Sequence, residues 1–562
     1  MQTPQDPQTA RPQNPQRDPL APAVAAYRQG DFAAAKRLCG QLLAQSPKHG
    51  GARTLSAAID LDMGRPEAAA AQLEMVIAEN PKNAAAFYSL GRAYRLQGES
   101  EAAEEALREA ARLDPKMAAA YAELSELLRA KGDKAAAKAE LERGIAACPG
   151  SSLLINNLGS LLAQDGDHDA ALEAFRKAIA ANPQDAVSHY NTGRSLRDRD
   201  RIEEAVAAYR KALELNPKMT EAWHNLGTAM IDLGRPLDAA RAHFEEFRLR
   251  RFEEHPVGIV SGRGDMTKTS RSKLRHDIEQ LNYLRERKLT QRDLGADIAA
   301  YQAVLDRLPA AQGETAIHAL TPEERQALAP TYNRAVHWDP EPALKGPAVN
   351  AALDRAAIEA DYLGNGPGFT FVDDFLSPEA LEGLRRFCLA STIWYEYRYA
   401  NGYLGAFLDE GFVCPLLLQI AEELRQAFPG IFKDHPLRKL WSFKCDSQLK
   451  ALERHADFAA VNVNFWITPD SANLDPATGG LVVWDKEAPL DWDFEKYNSD
   501  QAAIEAFLAE SGAKAMEVPH RQNRVVIFNS DLFHRSGEVS FKEGYENRRL
   551  NVTMLYGKRE SA

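Results

Sequence analysis

The chain has few cysteines and no pattern among them. Cys39, Cys148, Cys388, Cys414 and Cys445 stand at unrelated spacings, which excludes a disulfide framework and a thiolate zinc site and predicts a reducing compartment, the cytoplasm. There is no run near the ~18 consecutive apolar residues that a membrane-crossing helix needs, so no membrane association is expected. There is no excess of positive charge either. Eighty acidic against 68 basic residues leave a net charge of −12, so no nucleic-acid partner is expected. The first 19 residues, MQTPQDPQTARPQNPQRDP, lack the apolar core of a secretory signal and read as a disordered Pro/Gln-rich tail. What is present is 562 residues, 45% hydrophobic and 26% charged, an ordinary globular composition spread over several domains.

The strongest signal is periodic. Prolines stand at Pro47, Pro81, Pro115, Pro149, Pro183 and Pro217, each 34 residues after the last, and Gly30, Gly64, Gly98, Gly132, Gly166 and Gly234 keep the same period. Only position 200 breaks it, with Asp200. Each glycine falls between two amphipathic helices, and each proline ends the second because it cannot continue the hydrogen-bond ladder. Small residues such as Ala205, Ala212 and Ala239 allow close helix packing.

This 34-residue punctuation resembles the tetratricopeptide repeat. The resemblance covers residues 20–254, about seven repeats, and implies an all-α solenoid with a concave face. Asn157, Asn191 and Asn225 share one repeat position. In that family the position faces the groove, where amides can bond the backbone of an extended peptide; a solvated polar position is the plainer reading. The resemblance implies a protein or peptide partner. Solenoid ends often pair, which leaves a homodimer open.

After residue 254 the period stops. Residues 255–365 read as a linker and helical connector, with helical spacing at Leu274, Ile278, Leu281 and Leu284 and again from Ile298 to Leu308. His276-Asp277 reads as a surface pair, and residues 310–350 as irregular. Residues 366–562 form a further domain. FTFVDDF reads as a strand, and Ser377-Pro378 as a helix start. Helices are expected near 378–390 and 413–427, followed by short strands from residue 440. The fold class is therefore multidomain α + β.

Thirteen histidines and 80 acidic residues make roughly two His-x-Asp/Glu triplets by chance, so context must decide among the three present. His243 and Glu245 lie two apart on a helix and face different ways. His337 and Asp339 sit between prolines. Only His455-x-Asp457 leads into a strand-like run, AVNVNFWIT, where residues i and i+2 share a face and can share an ion. VVIF then runs to His534, and RLNVTMLY opens with a cation. Two imidazoles and a carboxylate suit iron(II) or zinc. A guanidinium on the last strand can bind a carboxylate through two parallel hydrogen bonds.

FVDDFLSPEAL, HAD with its strand, the Gly479-Gly480 turn, VVIFNSDLFH and RLNVTMLY together resemble the prolyl-hydroxylase-like Fe(II)- and 2-oxoglutarate-dependent oxygenases. The resemblance implies a double-stranded β-helix (jelly-roll) with supporting helices. It further implies iron held by His455, Asp457 and His534, with Arg549 on the distal carboxylate of 2-oxoglutarate, O2 as co-reactant and ascorbate as reductant. Arg548 is a rival to Arg549. Alternation along the strands turns Asn464 and Trp466, Val482 and Trp484, and Asn551 and Thr553 inward, with Asn464 and Thr553 assigned to the cosubstrate. Segment 485–520 is either a lid or a decorated loop, and His520 reads as a surface residue. The implied activity is hydroxylation of a Pro, Asn or Asp side chain on a protein recruited by the repeats. The alternatives are a protein-interaction scaffold with a non-catalytic or sensory β-domain, and a small-molecule hydroxylase.

Overall fold

The computed structural model describes residues 18–252, 263–364, 366–399, 402–432, 434–449 and 453–559. Most of the expected N-terminal tail and of the linker at 253–262 lies outside these residues. The chain divides into two compact units, residues 1–201 and 202–562.

The first unit is all-helical. Its helices follow one another in pairs as the repeat dictates: Phe32–Gln45, Gly50–Asp62, Pro66–Glu79, Ala84–Gln97 and so on to Ala186–Asp198. Each periodic proline follows a helix end by two residues, as at Leu113 and Pro115. Gly98 closes its helix with φ +82°, a conformation that costs glycine nothing. Asp200 adopts the same left-handed turn at φ +57°. The geometry is therefore kept where the glycine is not, by one of the residue types that tolerates it. A second periodicity is set by packing. Ala35, Ala69, Ala103, Ala137 and Ala171 are all fully buried at 34-residue spacing, because paired helices leave room there for a methyl group only.

The second unit opens with three more helices on the same period, Ile202–Leu215, Thr220–Asp232 and Pro236–Arg251. The last of these is bound into the connector and the turn Leu408–Glu410 that follows strand Leu404–Phe407. Phe244 stacks on Trp338 with ring centroids 4.5 Å apart, and the buried Arg251 pairs with Glu410 at 2.7 Å and donates to the Asn333 carbonyl. The connector contains the expected helices, Arg271–Glu286 and Gly295–Arg307. It also has two that the sequence pattern does not reveal. One is Pro322–Leu328, with a full capping box between Thr321 and Glu324, and the other is Arg355–Gly364. The surface reading of His276-Asp277 is corrected. His276 is fully buried, and Asp277 takes a salt bridge from Lys273 at 2.6 Å. Helix Arg271–Glu286 is wedged against the β-bearing part, with Gln280 donating to the Ser391 carbonyl, so its polar face is covered rather than solvated.

Among the described residues, 366–559 carry nine main strands. They are β1 Phe369–Val372, β2 Leu404–Phe407, β3 Leu437–Lys444, β4 Val461–Trp466, β5 Leu481–Glu487, β6 Ala515–Val518, β7 Val525–Asn529, β8 Leu532–Ser536 and β9 Leu550–Tyr556. One antiparallel sheet runs β1-β7-β4-β9-β3-β2 and a second runs β8-β5-β6. The two share an apolar cluster of Trp466, Leu481, Val483, Val518, Val526, Phe528 and Leu532. The inward residues of β5 are thus Leu481 and Val483, which corrects the expected Val482 and Trp484. The alternation holds, but its phase is reversed, because Trp484 packs on the opposite face with the residues of segment 485–520. The expected helices stand at Pro378–Ala390 and Pro415–Ala427, the first capped by the Ser377 hydroxyl.

Candidate metal and carboxylate site

His455, Asp457 and His534 come together although nearly eighty residues separate the first from the last. Backbone pairing does this. His455 and His534 exchange two reciprocal N–H···O bonds, 3.0 and 2.8 Å, and the Asp457 N–H donates to the Ser530 carbonyl. The imidazole centroids are 4.4 Å apart, His534 Nε2 is 3.5 Å from Asp457 Oδ2, and the three ligand atoms lie within 4.8 Å of one another. Each Nδ1 faces a backbone carbonyl, that of Glu453 for His455 and of Leu532 for His534. Carbonyls only accept, so both Nδ1 atoms carry the proton and both Nε2 lone pairs are left for an ion. Burial, reinforced by His534, pushes the His455 imidazole down to about 4, so it is neutral at neutral pH, the form a metal needs. Burial pushes the Asp457 carboxyl up, and the Asn462 amide that donates to its Oδ2 acts the other way, favouring the carboxylate. The donor set fits a divalent transition metal, with positions left open for further ligands.

A line of amides leads away from this cluster. Asn462 Nδ2 donates to Asp457 Oδ2 at 2.6 Å, and Asn464 Nδ2 donates to Asn462 Oδ1 at 2.6 Å. Thr553 stands directly across from Asn464 in the β4–β9 register and donates to its Oδ1 at 2.8 Å. Asn551 then links Asn464 to a guanidinium NH of Arg549, each at 3.5 Å. Asn462 is a site residue that sequence reasoning does not single out. The available signal is two asparagines, two apart, in a strand whose six residues are all buried.

Arg549 is 1% exposed, donates to the carbonyls of Gly479 and Gly480, and has no carboxylate partner among the described residues. Arg548 is also buried, but it is held by Glu279 at 2.7 Å and Asp446 at 3.5 Å. An unneutralised buried guanidinium is costly, so of the rivals Arg549 is the one fitted to an anionic ligand. A Cβ at Gly480 would run into the Val518 carbonyl, which is why that turn carries no side chain. His520 is corrected from surface to core. It is 5% exposed, its ring is 5.0 Å from Phe541 and 5.9 Å from Trp466, and neither ring nitrogen has a hydrogen-bond partner among the described residues, Asp470 standing 3.7 Å from Nδ1.

Segment 485–520 supports the metal cluster from outside. Tyr497 accepts the Ala456 N–H through its carbonyl, Asn498 donates to the Ala456 carbonyl, and Gln501 bonds both backbone groups of Arg454. Ala456, between His455 and Asp457, is fully buried in a cluster with Tyr497, Ile504, Leu508 and Phe533. In the repeats, Asn157 lies on helix Ser152–Gln164, Asn191 on Ala186–Asp198 and Asn225 on Thr220–Asp232. The Asn191 amide is engaged within its own unit, donating to Asn156 and Ser160.

Tetratricopeptide repeats run across residues 26–234. Family models described as tetratricopeptide repeat match residues 26–94, 84–117 and 122–186, and one described as TPR repeat matches 193–234. Among solved structures, the chain is similar to the Cut9-Hcn1 hetero-tetramer of the APC/C, with 18% identity over 40% of this chain and 45% of that one and a TM-score of 0.36. It is also similar to a thermophilic TPR protein of Thermus thermophilus, with 24% identity over 32% and 97% of the two chains and a TM-score of 0.29. A third is YrrB, a TPR protein with an unusual peptide-binding site, with 21% identity over 32% and 92% and a TM-score of 0.26. The chain thus spans less than half of the Cut9-Hcn1 chain it matches. No curated protein matches the sequence. No helix among the described residues is long and apolar enough to cross a membrane.

Proposed function

We propose that the protein is an interaction module fused to an Fe(II)- and 2-oxoglutarate-dependent oxygenase, with the repeats holding a protein or peptide and a jelly-roll domain at 366–562 hydroxylating it. The observation that carries the oxygenase half is the pairing of a two-histidine, one-carboxylate cluster with a buried guanidinium that lacks a counter-ion among the described residues. Bound iron with 2-oxoglutarate supplies the oxidising power for an unactivated C–H bond. The chain's own part is to keep both Nε2 atoms unprotonated, hold Asp457 through Asn462, and present Arg549 to the distal carboxylate of 2-oxoglutarate. A hydrolytic zinc site has no need of that guanidinium.

The test uses the full chain loaded with iron without oxygen. Calorimetry with 2-oxoglutarate is expected to give one site, lost in Arg549→Met and kept in Arg548→Met. Adding oxygen is expected to form succinate and an added oxygen atom on a captured protein. Failure of the wild-type chain to bind both iron and 2-oxoglutarate overturns the reading.

A second reading is favoured by the family-model matches, which lie within residues 26–234. In it the repeats are a protein-interaction scaffold and the β-domain has no catalytic role. The two part on one measurement: a scaffold binds its partner unchanged when Asp457→Ala is introduced, and forms no succinate with or without it.

A further inference from the structure

The last repeat departs from the others at two core positions. Cys39, Leu73, Leu107, Leu141, Phe175 and Tyr209 stand 34 residues apart and are all almost fully buried; the seventh residue in that series is His243, 4% exposed. Three residues on, Leu42, Val76, Ala110, Gly144, Ala178 and Ala212 give way to Glu246, 1% exposed. Putting an imidazole and a carboxylate where six repeats put apolar groups costs free energy unless they find partners. They find each other and a third residue. His243 and Glu246 share a face of helix Pro236–Arg251, one turn apart, and His224 reaches them from helix Thr220–Asp232.

The geometry is convergent. His224 Nδ1 is 3.0 Å and His243 Nδ1 is 3.3 Å from the same oxygen, Glu246 Oε2, and all three ligand atoms lie within 4.8 Å of one another. Zinc bonded at about 2.0–2.1 Å in a tetrahedron sets its donors about 3.3 Å apart. The other carboxylate oxygen, Oε1, is contacted by Arg250 at 3.4 Å, which leaves Oε2 to the imidazoles. His224 is half-exposed and provides a way in, while the ring of His243 fills the slot beside Gly227, where a Cβ would meet it at 2.6 Å. We propose that His224, His243 and Glu246 form a second metal site, for a zinc-class divalent cation, that clamps the last helical hairpin of the repeats.

The test is made on the full chain, stripped of metal, in an Asp457→Ala/His534→Ala background that disables the β-domain cluster. Titration with Zn2+ alone, followed by calorimetry, is expected to show one equivalent bound and a raised Tm. Adding His243→Leu and Glu246→Ala, residues the other repeats carry at those positions, is expected to abolish both while the helical signal persists. His224→Ala, at a half-exposed position, is expected to weaken binding at least tenfold while the helical signal persists, and to lower the metal-free Tm only modestly, because Glu246 keeps its His243 partner. A background protein that binds no Zn2+, or that binds it equally after His243→Leu/Glu246→Ala, overturns the proposal. The outcome is independent of whether the β-domain is an oxygenase.

Discussion

The repeats and the sheet-bearing part of the molecule solve the same packing problem at different distances along the chain. In the repeats each helix buries its alanine stripe against neighbours within about one period, and the unit is a sum of near-identical local terms. In the sheets, β1 pairs with β7 over 150 residues away and β4 with β9 nearly ninety away. Local construction makes a fold readable and tolerant; long-range construction is what brings distant ligands to one point.

Four changes sharpen that contrast. The largest effect is expected from Leu107→Ala. Its side chain fills the slot beside Gly91 in a fully buried cluster, and its loss should cost about 3 kcal/mol. Hydrogen exchange should show that loss confined to the adjacent helices, because each repeat depends mainly on its neighbours. Protection lost equally over all of residues 21–181 would contradict the local picture. Next is Asn462→Ala, which frees the Asp457 carboxylate. Metal affinity at His455, Asp457 and His534 should drop about 10- to 100-fold with little change in partner binding by the repeats, read by metal titration beside a pull-down. Gly98→Ala, at φ +82°, should cost about 1 kcal/mol in thermal unfolding of the first unit, and Asp200→Gly should not destabilise it.

The smallest effect is one of pH. The Arg524 hydrogen bond, with Arg521 nearby, holds the Asp373 carboxyl below its usual range. A depressed native value means a contribution that is present above the unfolded pKa of about 3.9 and lost as pH falls through the native one. Asp373→Asn should therefore lower stability slightly at neutral pH, change little below the native pKa, and so flatten the acid limb of the stability curve. An unchanged acid limb would remove Asp373 from the account.

The site is legible in part. His455-x-Asp457 stands out because a strand comes directly after it, and Asn464 and Thr553 because alternation faces them one way; their direct pairing across β4 and β9 is a matter of register. Asn462 shares that face by the same alternation, but only the fold shows that its amide reaches Asp457, and His520 reads as exposed because a loop sequence does not reveal that Trp466 and Phe541 close over it. The reversed phase of β5 has a similar cause. Leu481-Val482-Val483-Trp484 is apolar on both faces, and only the packing of segment 485–520 on one side decides which face is which. His276-Asp277 looks solvated for want of any local sign that the sheet domain covers it.

The sequence by itself determined the repeats: their period, their turns and the helix ends, because each depends on proline, glycine and alanine acting within a few residues of themselves. The tertiary structure alone decided which of two adjacent arginines is free. Arg548 and Arg549 are the same side chain on neighbouring residues. They differ because Glu279, far off in the chain, neutralises one, while no carboxylate among the described residues neutralises the other. Charge compensation across such distances is a property of the folded surface, and no local pattern encodes it.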